Sequence, residues 1–517
     1  MSKKVILVQP QLGKYDMFIR DLPLSLLYVG SMIDRSKYDL SLIDQRVEPE
    51  WEERLREEFR SGEVVCVALT VMTGEPIDFA LKVSKLVKEI NPSTPTVWGG
   101  IHPTILAEQT VANEYVDIAV RGKGELIFKN LVETLDAGGD LSKILGITYK
   151  MNGGELFNNE TDYDFDADSV PMPPYDLVDI TKYKRSGFDF QVVSFITSRG
   201  CPHKCSFCYI TSLPIQERKW QAESVEKTVD HLAHVIDLYS PGYISIIDDD
   251  FFVNIKRGKA LFEEVERRGI KIKWGLRGVR IDEILRMDDE TLRLLERIGM
   301  QHLNIGVESG SPRMLDLIDK SIQREEVIEA NKKLSKYKKL QPLYNFFSGL
   351  PTETEEDLKC STDLINQLLR ENPQAQISGF HQFTPYPGNP LFDMAVEHGF
   401  DPPTTLEGWS KFRLESNAEN LPWIDERRKN LLDVIYFTVY FIDRKYENFI
   451  MRENYFNQLV YPLVLLYKVL AKARFKYHIT FLPLDIIAKD AFYFATDFLR
   501  KLKFRKLPSY GTHQNGQ

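Results

Sequence analysis

Short apolar runs that end at a glycine or a polar residue, each followed by an amphipathic stretch, recur in two blocks along this chain. That rhythm restricts it to parallel sheets covered by helices, because a strand that returns through a helix re-enters the sheet in the same direction. In the first block the apolar runs are 5–8, 40–43, 64–69, 96–98 and 117–120, and helices are expected at 23–33, 51–60, 78–90 and 125–135. Continuous rather than alternating apolar character marks these strands as buried on both faces. The second block offers six strands, at 192–197, 243–247, 273–276, 302–307, 342–348 and 377–383, each ending in polar or glycine residues. The expected fold class is α/β. An N-terminal doubly wound parallel sheet (1–145) leads through an acidic, proline-rich linker (146–190) to a partial (β/α)6 TIM-type barrel (191–415). A C-terminal helical region (416–517) follows.

Ligands on such sheets lie beyond the carboxyl ends of the strands. In the first block those ends carry Asp44, Thr73, the turn Gly99-Gly100-Ile-His102 and the turn Gly122-Lys-Gly124-Glu125. Paired glycines admit a bulky ligand close to the backbone, although such turns also occur in flavodoxin-like folds that bind nothing.

Three of the five cysteines fall within eight positions, as Cys201-Pro-His-Lys-Cys205-Ser-Phe-Cys208. Three thiolates so close can hold three irons of a cubic cluster and leave the fourth without a protein ligand. The alternative is a zinc site completed by His203, against which stands the usual build of zinc sites from two separated cysteine pairs. Cys66 and Cys360 are isolated, so no disulfide framework is indicated and a reducing, cytoplasmic setting is expected.

Apolar content of 43% and charged content of 27% suit a globular protein, and a net charge of −9 gives no support to a nucleic-acid partner. No run reaches the roughly 18 apolar residues that span a bilayer. The charge is uneven: residues 455–508 hold ten Lys/Arg against three acids and are rich in aromatic residues. That stretch reads either as a helical cap or as a basic surface for peripheral contact with anionic lipid.

The Cys-x3-Cys-x2-Cys run, flanked by Phe207 and Tyr209, resembles the radical SAM superfamily, and the likeness continues for about 220 residues downstream. The resemblance implies that Cys201, Cys205 and Cys208 ligate a [4Fe–4S] cluster whose open iron binds S-adenosylmethionine. It further implies cofactor contacts from Tyr209, Glu308-Ser309 and the turn containing Gly349 and Pro351, with Asp249 in the acidic strand end Asp248-Asp249-Asp250. That acidic run reads equally as a solvated loop or a metal site. The two glycine turns, Thr73, His102 and Glu125 resemble the cobalamin-binding domain that precedes many radical SAM enzymes. Here Asp44-Gln45-Arg46-Val47 replaces the loop that supplies a lower-axial histidine in cobalamin mutases. The implied activity is C-methylation of an unactivated carbon in a small-molecule or lipid-like substrate, with reducing equivalents from a flavodoxin or ferredoxin. Cyclisation without methyl transfer and a non-catalytic iron–sulfur or corrinoid module are the alternatives. The additional upstream cluster cysteines of the methylthiotransferases are missing.

Overall fold

The computed structural model describes residues 3–13, 16, 20–151, 154–161, 165–183, 190–214, 216, 218–412, 421–444 and 455–481. They form two compact units, 1–424 and 425–517.

The first unit holds both expected sheets. Strands β1 (Lys3–Gln9), β2 (Tyr38–Asp44), β3 (Glu63–Thr70), β4 (Thr96–Gly99) and β5 (Ile118–Val120) pair in parallel. The order is β2-β1-β3-β4-β5, the doubly wound arrangement whose reversal at β1/β3 opens a crevice at the carboxyl ends. Helices α1 (Leu24–Gly30), α2 (Trp51–Ser61), α3 (Pro76–Ile90), α4 (Ile101–Ile105), α5 (Ala107–Ala112) and α6 (Gly124–Asp136) connect and cover them. Val5, Leu7, Ala68, Val97 and Ile118 meet Leu131 and Val132 of α6 in one core.

One expectation fails at the start of the linker. Residues 147–158 are not a connector: β6 (Ile147–Lys150) and β7 (Leu156–Asn158) continue the sheet as an antiparallel edge hairpin. Strands this short have little periodicity to read, and Gly154 belongs to the hairpin connection instead of a domain boundary. Beyond it, Tyr175 bonds His231 at 2.8 Å and Tyr183 donates to Asp44 at 2.9 Å, so the linker is tied both to the second α/β segment and to the first sheet.

Strands β8 (Val192–Phe195), β11 (Tyr243–Ile246), β12 (Lys273–Val279), β13 (Met300–Glu308), β14 (Gln341–Ser348) and β15 (Gln376–Gln382) form a six-stranded parallel sheet in sequential order. A two-residue ladder between β9 (Ser198–Arg199) and β10 (Gln221–Ala222) braces the segment leaving β8.

In the second unit, helix Glu426–Thr438 and the turn Val439–Phe441 after it meet helix Tyr455–Tyr477 through Phe437, Phe441 and Tyr467. Among the described residues no helix is long and apolar enough to cross a membrane. The basic run 500–506 lies outside the described residues.

Candidate functional site

The cysteine loop is held by the acidic end of β11. Asp248 accepts from the Thr197 amide (2.7 Å), the Thr197 hydroxyl (2.6 Å) and the Ser198 hydroxyl (2.6 Å). Asp249 accepts from the Gly200 amide at 2.8 Å and from the Tyr209 hydroxyl. Asp250 faces the Cys201 thiol at 3.6 Å and His203 Nε2 at 3.4 Å. The acidic run is therefore neither a solvated loop nor a cation site of three carboxylates: it is an internal scaffold, with Asp248 and Asp250 only 3% and 1% exposed. Burial raises the Asp248 carboxyl to about 6, against the hydrogen bonds from Ser198 and Thr197.

Each cysteine of the run is a free thiol. Burial pushes Cys208 up to about 11 and, with Asp250 adding to it, raises Cys201 further. Backbone hydrogen bonds at His203 and Ile210 work the other way on Cys201 and Cys208, and positive charge nearby also favours thiolates. Two buried cations supply part of it: Arg280 Nη1 lies 3.8 Å from Cys205 Sγ, and Lys320 is buried beside the loop. Burial opposes the charge on both, yet Cys205 together with nearby carboxylates holds their pKa values above the ordinary ones. The ligand atoms that converge within 4.8 Å are those of Cys201, His203 and Asp250, so a three-cysteine zinc site completed by His203 is not assembled among the described residues. Three unpaired thiols on one short loop, spread wider than one small ion and flanked by cations, fit a polynuclear cluster better.

Beside this loop lies a cavity of about 350 Å³. One wall is the set of strand ends of the first sheet, with Gly99, Gly100, Gly122, Gly124 and Glu125; the other includes Gly200, Tyr209 and Asp249. Gly100 has φ +97°, and a Cβ there would meet the Val71 amide nitrogen and carbonyl oxygen at 2.9 Å, so the turn demands glycine. The open glycine wall and its apolar floor are suited to a large planar ligand.

The remaining expected contacts lie outside the lining of this cavity. His102 is fully buried, bonds Thr73 at 3.0 Å and meets the Trp409 ring edge-on at 6.1 Å. Neither His102 nor Thr73 lines the cavity, the imidazole being packed between Thr73 and Trp409; burial lowers its pKa to about 4. Ser309 is 1% exposed and engages Ser361 and the Ser311 amide. Gly349 donates to Glu353 and accepts from the Trp423 indole, and Pro351 is buried in the same turn. Glu308 pairs with Lys320 at 3.0 Å and has φ +73°, a conformation costly for a non-glycine residue.

Lys320 itself, Arg280 as a cluster-loop neighbour and Arg199 escape a reading by motif. Lys320 sits between Asp319 and Ser321, both with positive φ, a geometry without a sequence signature. Arg199 precedes the cysteine loop and pairs with Glu125 of the glycine wall. Its place directly before Gly200-Cys201 was the available signal.

Residues 195–365 match the radical SAM superfamily, and residues 22–132 match the B12 binding domain. An uncharacterized methyltransferase, PH0819 of Pyrococcus horikoshii, is 31% identical over 420 residues, spanning 81% of this chain and 87% of that one. The anaerobic magnesium-protoporphyrin IX monomethyl ester cyclase of Rubrivivax gelatinosus is 26% identical over 378 residues, 72% of this chain and 65% of that protein. Among solved structures, the cobalamin-dependent S-adenosylmethionine radical enzyme OxsB, with aqua-cobalamin and S-adenosylmethionine bound, superposes with a TM-score of 0.71 at 18% identity, covering 97% of this chain and 75% of the other. The chain belongs to the radical SAM superfamily, in the group that carries a B12 binding domain ahead of the barrel.

Proposed function

We propose that this protein is a cobalamin-dependent radical S-adenosylmethionine C-methyltransferase acting on an unactivated carbon of a secondary metabolite, lipid or tetrapyrrole-like substrate. The observation that carries the reading is the shared cavity: the glycine wall of one sheet and the approach to the three cysteines face the same space. Cys201, Cys205 and Cys208 would hold the cluster, and the glycine turns with Glu125 the corrinoid. When bound, the cluster supplies the electron that cleaves S-adenosylmethionine and the corrinoid carries the methyl group.

The chain's own residues bind, orient and balance charge. Glu308 and Lys320 present opposite charges that complement a zwitterionic methionyl group, with Ser309 supporting the strand end that carries Glu308. Tyr209, fixed by Asp249, flanks the cavity, and the turn at Gly349 and Pro351 suits an adenine packed on backbone. Asp44 is engaged by Arg46 and Tyr183, and the loop Asp44-Gln45-Arg46-Val47 contains no histidine that could serve a corrinoid. A flavodoxin- or ferredoxin-class donor would reduce the cluster, and lipid contact through the basic C-terminal stretch belongs to the same proposal.

The likeness to the cyclase favours one second reading, ring closure by the same cofactors without methyl transfer. Anaerobic reconstitution with iron, sulfide and cobalamin, followed by reductant and methyl-labelled S-adenosylmethionine, separates the two. The proposal expects corrin uptake, 5′-deoxyadenosine and label in the corrinoid methyl pool. Corrin uptake and deoxyadenosine with no label in the corrinoid would favour ring closure, and deoxyadenosine formed without corrin uptake would leave a radical enzyme that is neither.

A further inference from the structure

Glu125 opens the first turn of α6, at the end of the Gly122-Lys-Gly124 turn, and lines the cavity. Its side chain is 4% exposed. One carboxylate oxygen, Oε1, is taken by Arg199. The other, Oε2, is buried and has no hydrogen-bond partner among the described residues. A buried carboxylate oxygen left without a donor costs free energy, so a site that keeps one is built for a donor arriving with a ligand.

Arg199 is equally committed. Its guanidinium lies 4.6 Å from the Tyr28 ring centroid and 5.4 Å from that of Phe165. Burial works against its charge, and Glu125 with Tyr28 outweighs that effect. The residue belongs to β9, and the next two positions are Gly200, anchored to Asp249, and Cys201. One ion pair thus joins the wall of the cavity to the start of the cysteine loop.

We propose that Glu125 is a two-sided anchor: Oε1 is held by Arg199 of the cysteine-loop strand, while Oε2 accepts an amide N–H from the carboxamide-bearing rim of a corrinoid, so that corrinoid binding and the setting of the cysteine loop are coupled. The proposal rests on reading the cavity as the corrinoid site. An anionic acceptor welcomes carboxamides, which donate, and repels a ring whose amides have been hydrolysed to carboxylates. Coupling of this kind is reciprocal: whatever the corrinoid does to the loop, the loop does to corrinoid affinity.

The test titrates the cluster-reconstituted protein with hydroxocobalamin and, separately, with a derivative whose rim carboxamides have been hydrolysed to carboxylates and whose nucleotide loop is retained, followed by corrin absorbance. The electron paramagnetic resonance spectrum of the reduced cluster is recorded with and without each. Wild type is expected to prefer the carboxamide form by at least about tenfold, the scale of a hydrogen bond to a charged group. Glu125→Gln should weaken hydroxocobalamin by about tenfold and bring the two affinities towards parity. Arg199→Lys should keep the preference, whereas Arg199→Gln should remove the change in the cluster spectrum that corrinoid causes in wild type. Iron content and circular dichroism establish that each variant is folded and loaded. A wild type that binds both corrinoids equally, or a Glu125→Gln protein with unchanged affinities, overturns the anchor alone. A wild type that takes up neither corrinoid overturns the methyltransferase reading and the anchor together.

Discussion

Replacing Gly200 by alanine tests how tightly the cysteine loop is specified. Gly200 has φ +85°, and a Cβ on it would lie 2.6 Å from the Lys219 carbonyl oxygen and 2.7 Å from that of Arg218. Both obstacles are backbone, and neither can retreat freely. The Arg218 carbonyl accepts from the Cys201 amide at 3.0 Å, and the β9–β10 ladder fixes the chain just beyond Lys219. Left-handed backbone costs alanine about 1–2 kcal/mol, and overpacking against fixed atoms adds about 1–3 kcal/mol. The expected total is about 2–5 kcal/mol. Gly154 supplies the control, having the same φ of +85° with nothing within 4 Å of an added Cβ, so Gly154→Ala should show the backbone contribution alone, about 1–2 kcal/mol. Urea unfolding of the cluster-free chain measures both, and iron bound per chain after reconstitution measures the consequence for the loop. Gly200→Ala should bind less than half the wild-type iron and Gly154→Ala the full amount. Equal losses of stability, or full iron in Gly200→Ala, would refute the idea that the start of the loop is sterically fixed.

Two further substitutions probe the buried charges. Lys320→Met leaves the 13%-exposed Glu308 side chain without its cation, which should cost about 3–5 kcal/mol, read as a lower urea midpoint, and should weaken S-adenosylmethionine binding measured by equilibrium dialysis; Lys320→Arg should restore part of both. His102 is held neutral in the folded chain, with its pKa lowered to about 4 from 6.5, so the unfolded chain binds the additional proton between those values. Its contribution is complete above pH 6.5 and is lost as pH falls towards 4, a total of about 3 kcal/mol. His102→Gln should flatten that part of the stability–pH curve measured by urea denaturation, and an unchanged slope would contradict the assignment.

Both sheets are legible in the sequence because parallel strands are buried on two faces and therefore read as unbroken apolar runs; the four helices expected in the first block begin and end within a few residues of the expected places. The β6–β7 hairpin is not legible, since three- and four-residue edge strands carry too short a pattern to separate from a turn-rich linker. At the site, the glycine wall, Glu125, Tyr209 and Asp249 converge as their strand-end positions suggest. His102 does not, because strand-end position fixes where a residue starts and leaves open which way its side chain turns. The acidic run behaves likewise: three carboxylates in sequence look solvated or metal-binding, and it is the packing of Thr197, Ser198, Gly200 and Tyr209 against them that gives Asp248 and Asp249 their donors. The pairs Glu308–Lys320 and Glu125–Arg199 depend on contacts across separate segments, which no local spacing encodes.

The three-cysteine loop is the point on which the functional account turns, and iron-57 Mössbauer spectroscopy of the anaerobically reconstituted protein addresses it directly. With three cysteine ligands and one open iron, addition of S-adenosylmethionine should change the parameters of one iron in four and leave the other three as they were. Four irons that stay indistinguishable and unmoved by S-adenosylmethionine would contradict the account.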